Sequence, residues 1–352
     1  MKKGNEKVIN KLRRLATNNH KPMVKSYIEQ YLSNPTKNLN LDLLSSELNS
    51  MNNFKKVAVI NAIQRRVHST GLSVYNIRNG KFFIKENTRK QNNINIATLL
   101  SFIYNDLISS LKKKACIVKA NKNIVLALPS SEKSFIGNIP FGSYINFENN
   151  DVILGIHRQK EQANGFLDLS LISKEGTKYG WNASFTNKEN SIIFSGDIQD
   201  SRKETEVAEM FYAKNGFNQT MALTVNNYER NDTIKYRFFL AKEKVSDLKR
   251  NYMVNPNSVI FSTELETTSK EMVIGVTTPS KFIFTNVRFS DKNVSSGNTV
   301  TSNYLEYSSQ LSDNILNLNT VLELAGFNFV EEGDCDIDFN NLDKTTIINL
   351  LN

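Results

Sequence analysis

The sequence predicts an α+β protein in which a helical module with a β-hairpin precedes an antiparallel β-sandwich with C-terminal helices. Two patterns predict it. Apolar residues recur at helical spacing through roughly the first 110 residues, then alternate at strand spacing from Cys116 onward. The length, 352 residues, suits two domains of ordinary size. The expected division is 1–114 for the basic helical module, 115–330 for the sandwich and 331–352 for an acidic segment with a final helix.

Val8, Ile9, Leu12 and Leu15 share one helical face, and Met23, Tyr27, Ile28, Tyr31 and Leu32 share another after Pro22, which suits a first helical turn. Asn34-Pro35 breaks that run. Leu41, Leu44 and Leu48 predict a third helix, and Val57, Ile60, Ile63 and Val67 a fourth that stops before Gly71. Two alternating segments over 73–85 flank Arg78-Asn79-Gly80, a hairpin signature because Asn and Gly tolerate the positive φ of tight turns. One more amphipathic helix, about 96–111, ends at Lys112-Lys113-Lys114.

Strands are expected at 123–128, 152–157, 167–172, 191–194, 221–225 and 235–240. Three more follow from alternation in Val259 to Leu265, Met272 to Val276 and Phe282 to Phe284. Helix returns at 315–325, before Gly326, and at 343–351.

Composition narrows the function. The chain carries 39% hydrophobic and 22% charged residues, the profile of a folded protein. It lacks the roughly 20-residue apolar run of a membrane helix, and 99–108, the most apolar stretch, holds Asn105 and Asp106. With no signal-peptide pattern either, the expected location is the cytoplasm, or the virion if the source is viral. Only Cys116 and Cys335 are present, and His20, His68 and His157 are scattered, so neither a disulfide framework nor a His/Cys metal site is expected. Phosphate-loop, nucleophile-elbow, zinc-protease and dinucleotide motifs are absent, and the chain is read as a non-enzyme.

The net charge of +9 is unevenly spread. Residues 1–124 hold 23 Lys/Arg against 6 Asp/Glu, while 125–352 hold 21 against 29. The basic part therefore points toward a polyanion or an acidic partner. The order of helices and hairpin admits a winged-helix reading, with Lys55, Lys56, Arg65 and Arg66 approaching nucleic acid and the hairpin as wing. A solvated helical adaptor accounts for the same charge.

In the sandwich region, Phe166-Leu167-Asp168-Leu169-Ser170-Leu171 is followed by Gly180-Trp181-Asn182, Ser195-Gly196-Asp197-Ile198 and Thr205-Glu206-Val207. These spaced pieces resemble the TerD family, a tellurite-resistance and stress-response domain. Leu128 to Phe135, Pro140-Phe141-Gly142, Asn251 to Pro256 and Val74 to Gly80 resemble a branch of it with a preceding helical region. The resemblance covers roughly residues 70–290 and implies a calcium-binding β-sandwich acting as a non-catalytic stress- or defence-related interaction module. It carries over Asp168, Asp197 and Glu206 as metal ligands. Phe166 stands where the family has its first Asp, and 199–204 lacks the family's glycines, so the calcium set is depleted. Trp181 is expected in the core.

Asp334, Asp336 and Asp338 echo an EF-hand loop but fail it, since Phe339 stands where Gly is needed and Thr345 where Glu is needed. If extended, the three project from one face and call for a cation or a basic partner, such as the N-terminal region of the same or a neighbouring chain. Three functions stay open: the interaction module with a protein partner, a nucleic-acid-binding protein working through 1–114, and a structural or self-assembling component joining basic and acidic regions.

Overall fold

The structure, a computed structural model, describes residues 5–19, 25–35, 38–68, 71–76, 82–87, 94–148, 150–159, 167–189, 191–197, 206–227, 233–249, 252–267, 271–287, 304–306, 308–309 and 315–352. It is mixed α+β. Helices α1 (Asn5–Asn18), α2 (Tyr27–Ser33), α3 (Leu41–Asn49) and α4 (Asn53–His68) precede the hairpin of β1 (Gly71–Asn76) and β2 (Phe82–Asn87), and α5 (Ile94–Lys112) closes the module. The second helix begins later than its apolar spacing predicts. Ser26 forms a capping box with Glu29, and this local bonding fixes the start at Tyr27. Asn40 caps α3 by accepting from the Asp42 and Leu43 amides. In the hairpin Gly71 pairs with Asn87 and Asn76 with Phe82, while the Asn79-Gly80 turn lies outside the described residues.

After α5 come β3 (Ile117–Lys119), β4 (Ile124–Val125), β5 (Phe135–Ile136), β6 (Ile139–Pro140), β7 (Tyr144–Asn146), β8 (Val152–Gln159), β9 (Leu167–Ser173) and β10 (Lys178–Gly180). β11 (Ile192–Phe194), β12 (Glu206–Ala213), β13 (Met221–Asn227), β14 (Ile234–Lys242), β15 (Val259–Thr267), β16 (Glu271–Thr277) and β17 (Lys281–Val287) follow. The chain ends with α6 (Leu318–Leu324), β18 (Asn328–Val330), β19 (Ile337–Asp338) and α7 (Lys344–Leu351).

Two antiparallel sheets carry most of these strands, one in the order β10-β9-β13-β16-β17-β7-β4 and one in the order β11-β12-β8-β14-β15. Strand pleating sends alternate side chains between them. Leu154 and Ile156 of β8, Phe211 of β12 and Phe238 of β14 share one core with Leu169 and Leu171 of β9, Leu223 of β13 and Phe282 of β17. Phe238 and Phe282 stack across the sheets, ring centroids 4.8 Å apart. The same core continues into Leu44, Ile60, Leu99 and Leu107 of the helical module. The outer faces are covered too. Val245 and Leu248 pack over Ile153, Met210 and Phe239, and Tyr304 and Leu305 over Ala222, Val273 and Val276.

The strand expected over 123–128 forms a ladder only at Ile124–Val125. Beyond it, Leu128 donates to the Leu316 carbonyl and Leu318 to the Leu126 carbonyl, each at 2.7 Å, so this stretch pairs with the approach to α6. The acidic C-terminal segment also pairs at long range. β18 and β19 both lie parallel to β3, immediately beyond the basic run at 112–114, and Lys114 Nζ donates to the Asn349 and Leu350 carbonyls at the end of α7.

Candidate metal centre

β9 runs through the seven-stranded sheet with all seven residues buried. On one side it pairs with β13 over its whole length, placing Asp168 opposite Asn226. On the other side β10 reaches only from Ile172 to Ser170, so among the described residues no strand pairs with the backbone edge at 167–169. Gly180 ends β10 at φ +131°, and a Cβ there would lie 2.5 Å from the Leu169 carbonyl oxygen, so only glycine allows this approach.

Two other elements meet the open edge. Glu209 lies on the same face of β12 as the core residues Phe211 and Ala213, and its Oε2 accepts from the Leu169 amide at 2.8 Å. It thereby links the two sheets. The turn after β11 brings in Asp197. The Ser195 amide donates to the Met210 carbonyl at 2.9 Å, Ser195 Oγ accepts from the Met210 amide at 3.0 Å, and Gly196 turns at φ +110°. Carboxylate oxygens of Asp168, Asp197 and Glu209 all lie within 4.8 Å of one another.

Asp168 is 7% exposed and Glu209 2%, while Asp197 is half-buried, so the cluster opens toward water only on the Asp197 side. Burial, reinforced by the Asp197 charge and opposed by Arg158 and Lys178, pushes the Asp168 carboxyl up to about 7. Arg158, on β8 and 5% exposed, is lowered by burial against the opposing pull of Glu209 and Asp168. Lys178 is lowered by burial as well, with Glu271 and Asp168 acting the other way, and its ammonium lies 5.3 Å from the centre of the Trp181 ring. Trp181 itself is half-buried against the main core. Asn226 is 1% exposed, and its Oδ1 has no hydrogen-bond partner among the described residues.

Three carboxylates in mutual reach offer hard oxygen ligands, with no sulfur or imidazole in the set, and this donor set suits calcium or magnesium. Arg158 and Lys178 offset part of its negative charge. A divalent ion would therefore face competition from two fixed cations, and would offset the burial and the Asp197 charge that raise Asp168.

Of the residues named from sequence, Asp168 and Asp197 come together here. Glu206 opens β12 opposite Gln159, and its side chain lies outside the described residues, as does Phe166. Glu209 was not foreseen. Its signal was an acid on the inward parity of a strand whose next residues on that face are Phe211 and Ala213.

The four basic residues named on α4 have different surroundings. Lys55 is exposed. Lys56 is 6% exposed with Nζ 2.6 Å from Asp106 Oδ2, so its charge is answered inside the bundle and is not presented to a polyanion. Arg65 is half-buried, and the Arg66 side chain lies outside the described residues. In the C-terminal segment Asp336 accepts from the Ile117 amide at 2.8 Å, and Asp338 accepts from the Asn340 amide and the Asn341 side chain. Asp336 also adds to the burial that raises the Cys116 thiol.

Among the described residues no helix is long and apolar enough to cross a membrane. No protein-family model, curated protein or solved structure matches this chain.

Proposed function

We propose that the protein is a non-catalytic interaction module of TerD-like type, in which a divalent cation, calcium by its oxygen ligands, closes the open edge of β9. The observation that supports this reading is the convergence of Asp168, Asp197 and Glu209 from three different elements within 4.8 Å. Asp168 and Asp197 would ligate directly, and Glu209 would share its carboxylate between the ion and the Leu169 amide. A bound cation would tie the turn after β11 to both sheets, so that calcium sets the order of this edge for a protein partner.

Metal content and thermal melting of the full chain test the proposal. Millimolar calcium should raise the melting temperature and chelator should reverse the rise, with the effect lost in Asp168→Asn. A chain that purifies without metal and melts identically with calcium and with chelator would refute it.

A further inference from the structure

We propose that the protein associates head to tail, with α1 of one copy seated in the groove between β15 and the acidic segment 331–340 of a second copy. Among the described residues α1 contributes nothing to any of the apolar clusters of the fold. Its Val8, Leu12 and Leu15, spaced to fall on one face, are 57%, 59% and 47% exposed. A 14-residue helix is marginal in water by itself. Among the described residues no apolar cluster of its own chain covers this stripe. By helical geometry Lys11 flanks that stripe, Arg14 lies further round on the same side and Arg13 toward the opposite face, all three exposed.

The complementary surface is on the same molecule. A groove of about 370 Å³ has Ile124, Ile260, Phe261 and Phe339 in its walls, with Glu331 and Glu332 at its rim. Lys122 also lines it, 3.3 Å from Glu331, while Glu332 in the lining and Asp334 next along the chain are exposed and add negative charge on this side. β15 is the edge strand of its sheet, and Asn121 Nδ2 caps the Ile260 carbonyl at 3.0 Å. That cap obstructs addition of a further strand at this edge, where the half-buried Ile260 and Phe261 form the accessible apolar part of a wall that also holds Asn121, Asn123, Ser262 and Asn340. The stripe on α1 is exposed in the single chain, so the match is not made within one copy. A contact between two different surfaces repeats from copy to copy until a ring closes or a filament grows.

Sedimentation velocity of the full chain at rising concentration, in chelator and moderate salt, tests this independently of any metal. The expected result is a mass above the 40.0 kDa monomer. Lys11→Glu with Arg14→Glu should weaken association by about tenfold or more, Glu331→Lys with Glu332→Lys should do the same, and the four together should restore it. Leu12→Glu, at an exposed position, should abolish association while leaving the melting temperature unchanged. A monomer at every concentration, or association indifferent to the charge reversals, would overturn the proposal. So would a monomer that binds phosphatidylserine vesicles through Leu12, which would assign the stripe to a lipid surface.

Discussion

Two acidic clusters in this chain have nearly opposite physics. Asp334, Asp336 and Asp338 are close in sequence and stand out to the eye. In the fold the latter two are engaged by backbone or amide donors at the solvent-facing edge of a small parallel sheet. Asp168, Asp197 and Glu209 are scattered over 42 positions, yet meet where two sheets and a turn converge, with Asp168 and Glu209 buried. Burial, with the Asp197 charge beside it, raises the Asp168 carboxyl to about 7, whereas Asp336 and Asp338 are held by amide donors near solvent. Density of acids along the chain is thus a poor guide to an ion site; convergence under burial is the better one.

The sharpest break between the clusters should come from Glu209→Ala. This change removes the acceptor of the Leu169 amide and the carboxylate facing Arg158, leaving a buried guanidinium with less compensation. Loss of one partner of a buried charge pair costs roughly 3–5 kcal/mol. Urea unfolding should show a loss of that order for Glu209→Ala, against about 1 kcal/mol for Asp336→Ala, whose single amide partner is near solvent. Equal losses would erase the distinction.

Asp168 should leave a mark in the pH dependence. Its folded-state value is raised from the ordinary 3.8, so its contribution to stability is fully present below that value, where both states hold the proton. The contribution declines as the pH rises toward 7, because the unfolded chain ionises first. The span corresponds to roughly 4 kcal/mol at about 1.4 kcal/mol per unit. In metal-free buffer Asp168→Asn should therefore be more stable relative to wild type at pH 8 than at pH 4. Urea titrations at the two values check this, and parallel curves would show that Asp168 ionises normally.

The element pattern was largely legible because it is local. The strands at 152–157, 167–172 and 221–225 and the helix at 96–111 follow from periodicity that tertiary contacts reinforced. What escaped was set by pairing between distant segments. β3 is too short to announce itself and exists because β18 and β19, more than 200 residues later, flank it. At the site, Asp168 and Asp197 stood in spaced motifs, whereas Glu209 differs from Glu206 only in parity along β12, which needs the inner face to be known. Lys56 shows the converse: it sits in a basic run, and only the packing of α5 against α4 reveals Asp106 as its partner.

Calcium provides a gentler contrast between the clusters. If the ion reaches ten times its dissociation constant, mass action adds about 1.4 kcal/mol. The melting shift should persist when Asp334, Asp336 and Asp338 are all changed to Asn and disappear in Asp168→Asn. Asn keeps an acceptor oxygen for the Ile117 and Asn340 amides, so the triple change should itself move stability by less than about 1 kcal/mol. Thermal melts of the two variants with calcium and with chelator decide the matter. A calcium response that follows the C-terminal acids would place the ion where the sequence displays its carboxylates most openly, and would reverse the ranking of the two clusters.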